Sequence, residues 1–192
     1  MMSSRKDVIL DTATELFNRE GFQAVGVDKI ITTAGVSKLT LYRHFASKEE
    51  LIEIVLTRQN SRFLAELADA IQKHDAPRAQ LQAFFTYYDS WFNSDTFRGC
   101  MAVNAVLEFA DRSPALVAIN RSLHEALIAM LSQILLSWVK RERAQRLAWS
   151  LIMLIDGAII ARISWGQSSD YSPAHTAWSM AKTLLDAEGI AV

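Results

Sequence analysis

Between Val36 and Lys48 the chain gathers three cations (Lys38, Arg43, Lys48), three hydroxyls (Ser37, Thr40, Ser47), the Tyr42 phenol and the His44 imidazole, with no carboxylate among them. Such a set has little to offer covalent catalysis. It suits charge-assisted binding of anions and hydrogen bonding to base edges. Its value depends on which side chains share a face, and that depends on the elements carrying them.

Val27, Ile30, Ile31 and Ala34 have the i, i+3, i+4, i+7 spacing of one buried helix face. Gly35 follows, the residue best able to end a helix in the left-handed region. Ser37 is a good N-cap for a second helix, Lys38–Phe45. At about 100° per residue, Leu41 and Phe45 point inward. Leu39 and Arg43 then point away, Thr40 and Tyr42 flank them, and Lys38 and His44 take the shoulders. Two helices joined by a tight turn, the second anchored by two apolar residues, form a helix-turn-helix suited to the DNA major groove.

The run GVSKLTLYRHFASKEEL, preceded by ILDTATELFNREGF, resembles the N-terminal DNA-binding domain of the TetR family of bacterial transcription regulators over residues 8–56. Turn, cap, anchors and Ser47-Lys48-Glu49-Glu50-Leu51 all fall in register. In this register, phosphate contacts are assigned to Ser37, Tyr42, His44 and Lys48, with Lys29 as a further candidate. Lys48 lies in the first turn of a helix, itself an anion-binding position. Lys38 or Arg43 reads guanine, Thr40 bonds either way, and Leu39 meets a thymine methyl. Two residues depart from the family pattern. Leu39 stands where Gly is common, and Val25-Gly26 stands where a hydroxyl pair is usual.

The chain has 192 residues, 51% of them apolar, and a net charge of −1. The apolar share implies a sizeable core plus a further buried surface. A net charge near zero does not favour nucleic acid, but residues 1–48 carry seven cations against five acids. One Cys excludes an internal disulfide and fits a cytoplasmic location. The N-terminus lacks a signal-peptide pattern. The apolar stretch 147–165 is broken by Ser150, Asp156, Arg162 and Ser164, which argues against a membrane span.

Read in order, the chain is all-α with about nine helices. The expected segments are Asp7–Glu20 (Val8, Ala13, Leu16 and Phe17 inward), the pair above, a helix of about 25 residues starting at a Ser47–Glu50 capping box, then Pro77–Asn93, Gly99–Ala110, Pro114–Trp138, Lys140–Gln167 and Pro173–Gly189. The expected division is a helix-turn-helix domain over residues 1–48 and a helical effector-binding and dimerisation domain over residues 49–192, with the fourth helix shared.

The resemblance implies an effector pocket among the C-terminal helices. Tyr88, Trp91, Met101, Asn104, His124, Met153 and Asp156 are the candidate ligand contacts. They combine aromatic stripes with polar groups that need partners. Aromatic stripes at helical spacing serve equally well as core. Gly157 and Ala161 of the eighth helix, with Ala177, Trp178, Ala181, Leu184 and Leu185 of the ninth, are expected to form a two-helix face that doubles into a four-helix bundle in a homodimer. The partners implied are double-stranded DNA, an unidentified small, mostly hydrophobic effector and a second copy of the chain, with no membrane. Four His and one Cys show no metal spacing, nucleophile elbow or phosphate loop, so neither a metal, a cofactor nor an enzymatic activity is expected. The expected function is a ligand-responsive regulator, a repressor, acting on a near-palindromic operator. The departures at Leu39 and Val25-Gly26 leave a helical adaptor with weakened DNA binding as the alternative.

Overall fold

A computed structural model describes residues 4–109, 112–166 and 171–191. Among them the order is α1 (Arg5–Glu20), α2 (Val27–Ala34), α3 (Lys38–His44), α4 (Lys48–Gln72), α5 (Pro77–Phe92), α6 (Met101–Phe109), α7 (Pro114–Leu135), α8 (Arg141–Trp165) and α9 (Pro173–Ala187), with no strand. The expected helix ends at Ala110 and Gln167 lie outside the described residues.

The starts follow their caps. Ser4 caps α1 in a full capping box with Asp7, so the helix begins at Arg5, two residues before the expected Asp7. The bond with the Ser4 hydroxyl holds the Asp7 carboxyl below its usual range. Ser47 accepts from the Glu50 N–H at 3.1 Å, while the Glu50 carboxylate takes the Ala46 N–H rather than that of Ser47. Pro77 and Ser172-Pro173 place prolines in first turns, where the missing N–H costs nothing.

The chain divides into two compact units, Met1–Ser61 with Cys100–Arg121, and Arg62–Gly99 with Ser122–Val192. Both α4 and α7 therefore run from one unit into the other. The first unit holds α1, α2, α3 and the first half of α4 around Leu16, Phe17, Phe22, Ile30, Leu41, Phe45, Leu51 and Val55, all buried. Ile9 and Leu10 of α1 are core residues, whereas Val8, expected inward, is half-buried. Val8 falls at the edge of the buried face that Ile9, Ala13, Leu16 and Phe17 define. Ala105 of α6 and Leu116 of α7 complete this core.

In the second unit, α9 packs on α8 and α5, and α5 on α8. Phe63, Tyr87, Tyr88 and Trp91 form an edge-to-face cluster with centroids 5.4–5.9 Å apart wherever Phe63 or Trp91 takes part. Polar clamps fix the helix ends. Arg143 at the start of α8 pairs with Glu188 at the end of α9. Ser172 donates to Asp89 at 2.6 Å. Arg162 donates to the Phe92 carbonyl at 3.0 Å while lying 5.3 Å from the Phe97 ring centroid.

Candidate nucleic-acid interface

The turn between α2 and α3 has the expected geometry. Gly35 sits at φ 63°, ψ 37°, the left-handed region that a β-carbon disfavours. The Ser37 hydroxyl accepts the Thr40 N–H at 3.1 Å. Leu41 and Phe45 are 0% and 1% exposed, so α3 is pinned by its two anchors. Turning those inward leaves Leu39 63% and Tyr42 44% exposed, with Lys38, Arg43 and His44 on the same open surface. Gly26 starts α2 without a side-chain cap bond.

The cations on this surface are not equivalent. Lys29 is ion-paired with Glu20, which also binds Arg19 at 2.7 Å; these two cations, Lys29 first, hold the Glu20 carboxyl below its usual range. Lys29 is therefore partly neutralised, a consequence of a carboxylate nine residues away that its own helix does not reveal. Lys38 lies 3.5 Å from Asp28 of α2. No ion pair engages Arg43 or Lys48 among the described residues. Partial burial pushes the Lys48 ammonium down, against the opposing pull of Glu108 and Glu49. Thr40, expected to read bases, is half-buried, and its hydroxyl lies 2.8 Å from that of Ser37. It serves the cap.

Glu108 shares the α6 stripe of Met101 and Asn104 and takes a role that sequence reasoning missed. Its carboxylate accepts the Phe22 N–H at 3.1 Å and the Gln23 N–H at 2.8 Å, and the Gln23 side chain donates back to the Glu108 carbonyl. This clasp ties α6 to the turn between α1 and α2. The partners lie 85 and 86 residues apart, and no local pattern joins them. Beside it lies a polar cleft of about 390 Å³ lined by Gln23, Lys48, Glu49, Phe109, Arg112 and Ser113.

The candidate ligand contacts divide between the units. Met101 packs on the core of the first, and Asn104 lies on the same helix. In the second, Tyr88 is buried and Trp91 half-buried in the aromatic cluster, and the His124 imidazole lies 3.4 Å from the Asp156 carboxylate. Met153 is 69% exposed, so it stands on the open face of α8 rather than in the interior. That face is a stripe of Trp149, Met153, Gly157, Ile160 and Ile163. Of the residues expected at a subunit interface, Ala177, Ala181 and Leu185 are instead buried inside their own unit, where α9 meets α8 and α5. Trp178 stacks on Phe85 at 5.2 Å and Leu184 is half-buried, while Gly157 is open and Ala161 half-buried. On α9 the small side chains Ala174, Ala177 and Ala181 went inward, where they allow close approach of α5 and α8. By length and composition α8 could cross a membrane. Its inner residues Leu147, Leu151, Ile155 and Ile159 are core, however, which a helix facing lipid on all sides does not require.

Residues 9–55 match the family described as bacterial regulatory proteins, tetR family. The chain is 28% identical over 183 residues, 93% of its length and 75% of the other's, to a Mycobacterium tuberculosis protein named as a mycofactocin biosynthesis transcriptional regulator, MftR. It is 32% identical over 101 residues to the Escherichia coli HTH-type transcriptional repressor ComR, a match spanning 52% of this chain and 48% of that one. A TetR-family transcriptional regulator from Streptomyces coelicolor superposes with a TM-score of 0.84 at 27% identity, over 95% of both chains. All three are named as transcriptional regulators. The likeness extends beyond the helix-turn-helix to the whole helical array: residues 9–55 are a tetR-family domain, and the full chain has the fold of a TetR-family transcriptional regulator.

Proposed function

We propose that this protein is a ligand-responsive repressor that binds a near-palindromic operator as a homodimer in the cytoplasm and is released by a small, mostly hydrophobic effector. The observation that carries the reading is the outward face of α3. There Arg43 and Tyr42 stand open over a helix locked by Leu41 and Phe45, with Lys48 the first residue of α4. A guanidinium without an ion pair among the described residues is available for guanine O6 and N7. Lys48 and the N-terminal N–H groups of α4 present positive charge to a phosphate.

The open stripe of α8, joined by Met180 on α9, supports self-association, since Trp149, Met153 and Ile160 are each more than half exposed. A two-fold pair of α3 helices about 35 Å apart spans one turn of DNA. The aromatic cluster around Trp91 supports the effector class, because flat apolar surfaces with few polar groups select hydrophobic ligands. Release from the operator follows if ligand prefers a conformation in which the two reading helices no longer match that spacing.

The test is a mobility shift on DNA flanking the protein's own gene, with a promoter-reporter assay for sign. Arg43→Ala and Tyr42→Ala are expected to weaken binding at least tenfold. Wild-type affinity in both variants refutes the site, and reporter activity that rises with the protein refutes repression.

A further inference from the structure

The reading surface of α3 mixes cations with one residue that has no polar atom. Leu39 is 63% exposed although its neighbour Leu41 is fully buried, and it shares its face with Arg43 one turn on. Most of it stays uncovered among the described residues of its own unit. The adjacent Thr40 hydroxyl lies 2.8 Å from that of Ser37. Lys38 lies against Asp28. Leu39 therefore adds an open apolar group to a reading surface that otherwise carries polar ones. A major groove offers one apolar group on its base edges, the thymine C5-methyl.

Resting on the DNA-binding reading above, we propose that Leu39 is a specificity-determining residue that requires a thymine in each half-site by packing on its methyl group. A bare methyl contact provides neither donor nor acceptor, so a cytosine or a purine at that position leaves the isobutyl group against polar edges. Arg43 supplies the complementary polar reading next to it. Removing one thymine methyl costs about fourfold in affinity, the equivalent of exposing one methylene, and about fifteenfold when both half-sites are altered.

The experiment first selects binding sites from a random duplex library with the full-length wild-type chain. Every thymine of the selected site is then replaced, symmetrically, by deoxyuridine, which lacks the methyl and keeps the pairing edge and O4. The expected result is one thymine position whose replacement costs wild type about fifteenfold and Leu39→Ala less than twofold. Leu39→Gln should change the selected base there to adenine, whose N6 and N7 an amide engages. The proposal is overturned if no deoxyuridine costs wild type more than twofold, or if Leu39→Ala pays the same penalty. If wild type enriches no sequence at all, the DNA-binding reading fails with it. Circular dichroism confirms that the exposed substitutions leave the fold intact.

Discussion

The Glu108 clasp can be tested by removing the carboxylate while keeping the helix. Glu108→Ala deletes two charge-assisted bonds, to the N–H of Phe22 at 3.1 Å and of Gln23 at 2.8 Å. Such bonds contribute about 1.5–3 kcal/mol each when well shielded. Here Glu108 is half-buried and the Gln23 bond is exposed, so water replaces much of the second. Taking the low end for the first and about 0.5 kcal/mol for the second gives roughly 2 kcal/mol in all. Ala is a better helix former than Glu, which returns a few tenths of a kcal/mol. Glu108→Gln is the sharper probe. Its amide oxygen can accept one N–H, but its NH₂ then faces the other donor, so the loss should be about half as large. The assay is native-state amide exchange at Phe22 and Gln23, which reports local opening without requiring the whole chain to unfold as one step. A loss of 2 kcal/mol accelerates exchange at Phe22 about thirtyfold, with Gln intermediate. Unchanged exchange in Glu108→Ala would refute the clasp, and so would equal acceleration at sites throughout the second unit.

Other consequences are more direct. Gly21 has φ 84° and an added β-carbon would lie 3.0 Å from the Glu108 carboxylate, so Gly21→Ala should cost about 1–2 kcal/mol of backbone strain plus crowding; Glu108→Ala should relieve only the crowding, a non-additivity read by urea denaturation of the double variant. Ser37→Ala removes the bond to the Thr40 N–H and should cost about 1 kcal/mol, read as faster amide exchange at Thr40. Ile160→Glu places a charge in the open stripe of α8 and should yield monomers in analytical ultracentrifugation; an unchanged dimer would move the interface elsewhere. Tyr87 donates to Glu66 at 3.0 Å, and burial, then the Glu66 carboxylate, push the phenol above its ordinary 10.0. Because the folded value is the raised one, this stabilisation is complete below pH 10 and is lost as pH rises through the folded value. Tyr87→Phe should therefore flatten the alkaline limb of the melting temperature against pH, and parallel curves would sink the assignment.

The reading head was legible because its determinants are neighbours in the chain. A Gly at the turn, a Ser two residues later and apolar residues four apart act through local backbone bonds and helical periodicity, and each lies where those rules put it. The same rules located every helix among the described residues. They also isolated Leu39, since fixing Leu41 and Phe45 inward leaves it no other direction. What the sequence determined alone is thus the set of elements, their caps and the polarity of each short helix.

Only the tertiary structure decided which partner each face meets. Lys29 is a free cation by its own helix and an ion pair once Glu20 is folded beside it. Glu108 falls on the same stripe as the candidate ligand contacts by periodicity, yet binds the turn at Phe22 and Gln23. On α8, Met153 and Leu151 are both apolar, so periodicity shows two possible inner faces and cannot choose between them; packing put Leu151 in the core and left Met153 outside. On α9 the small residues Ala177 and Ala181 went inward for the same reason. Helical periodicity is a property of one segment. Burial is settled between segments, where side-chain volumes must fit and distant donors must find acceptors.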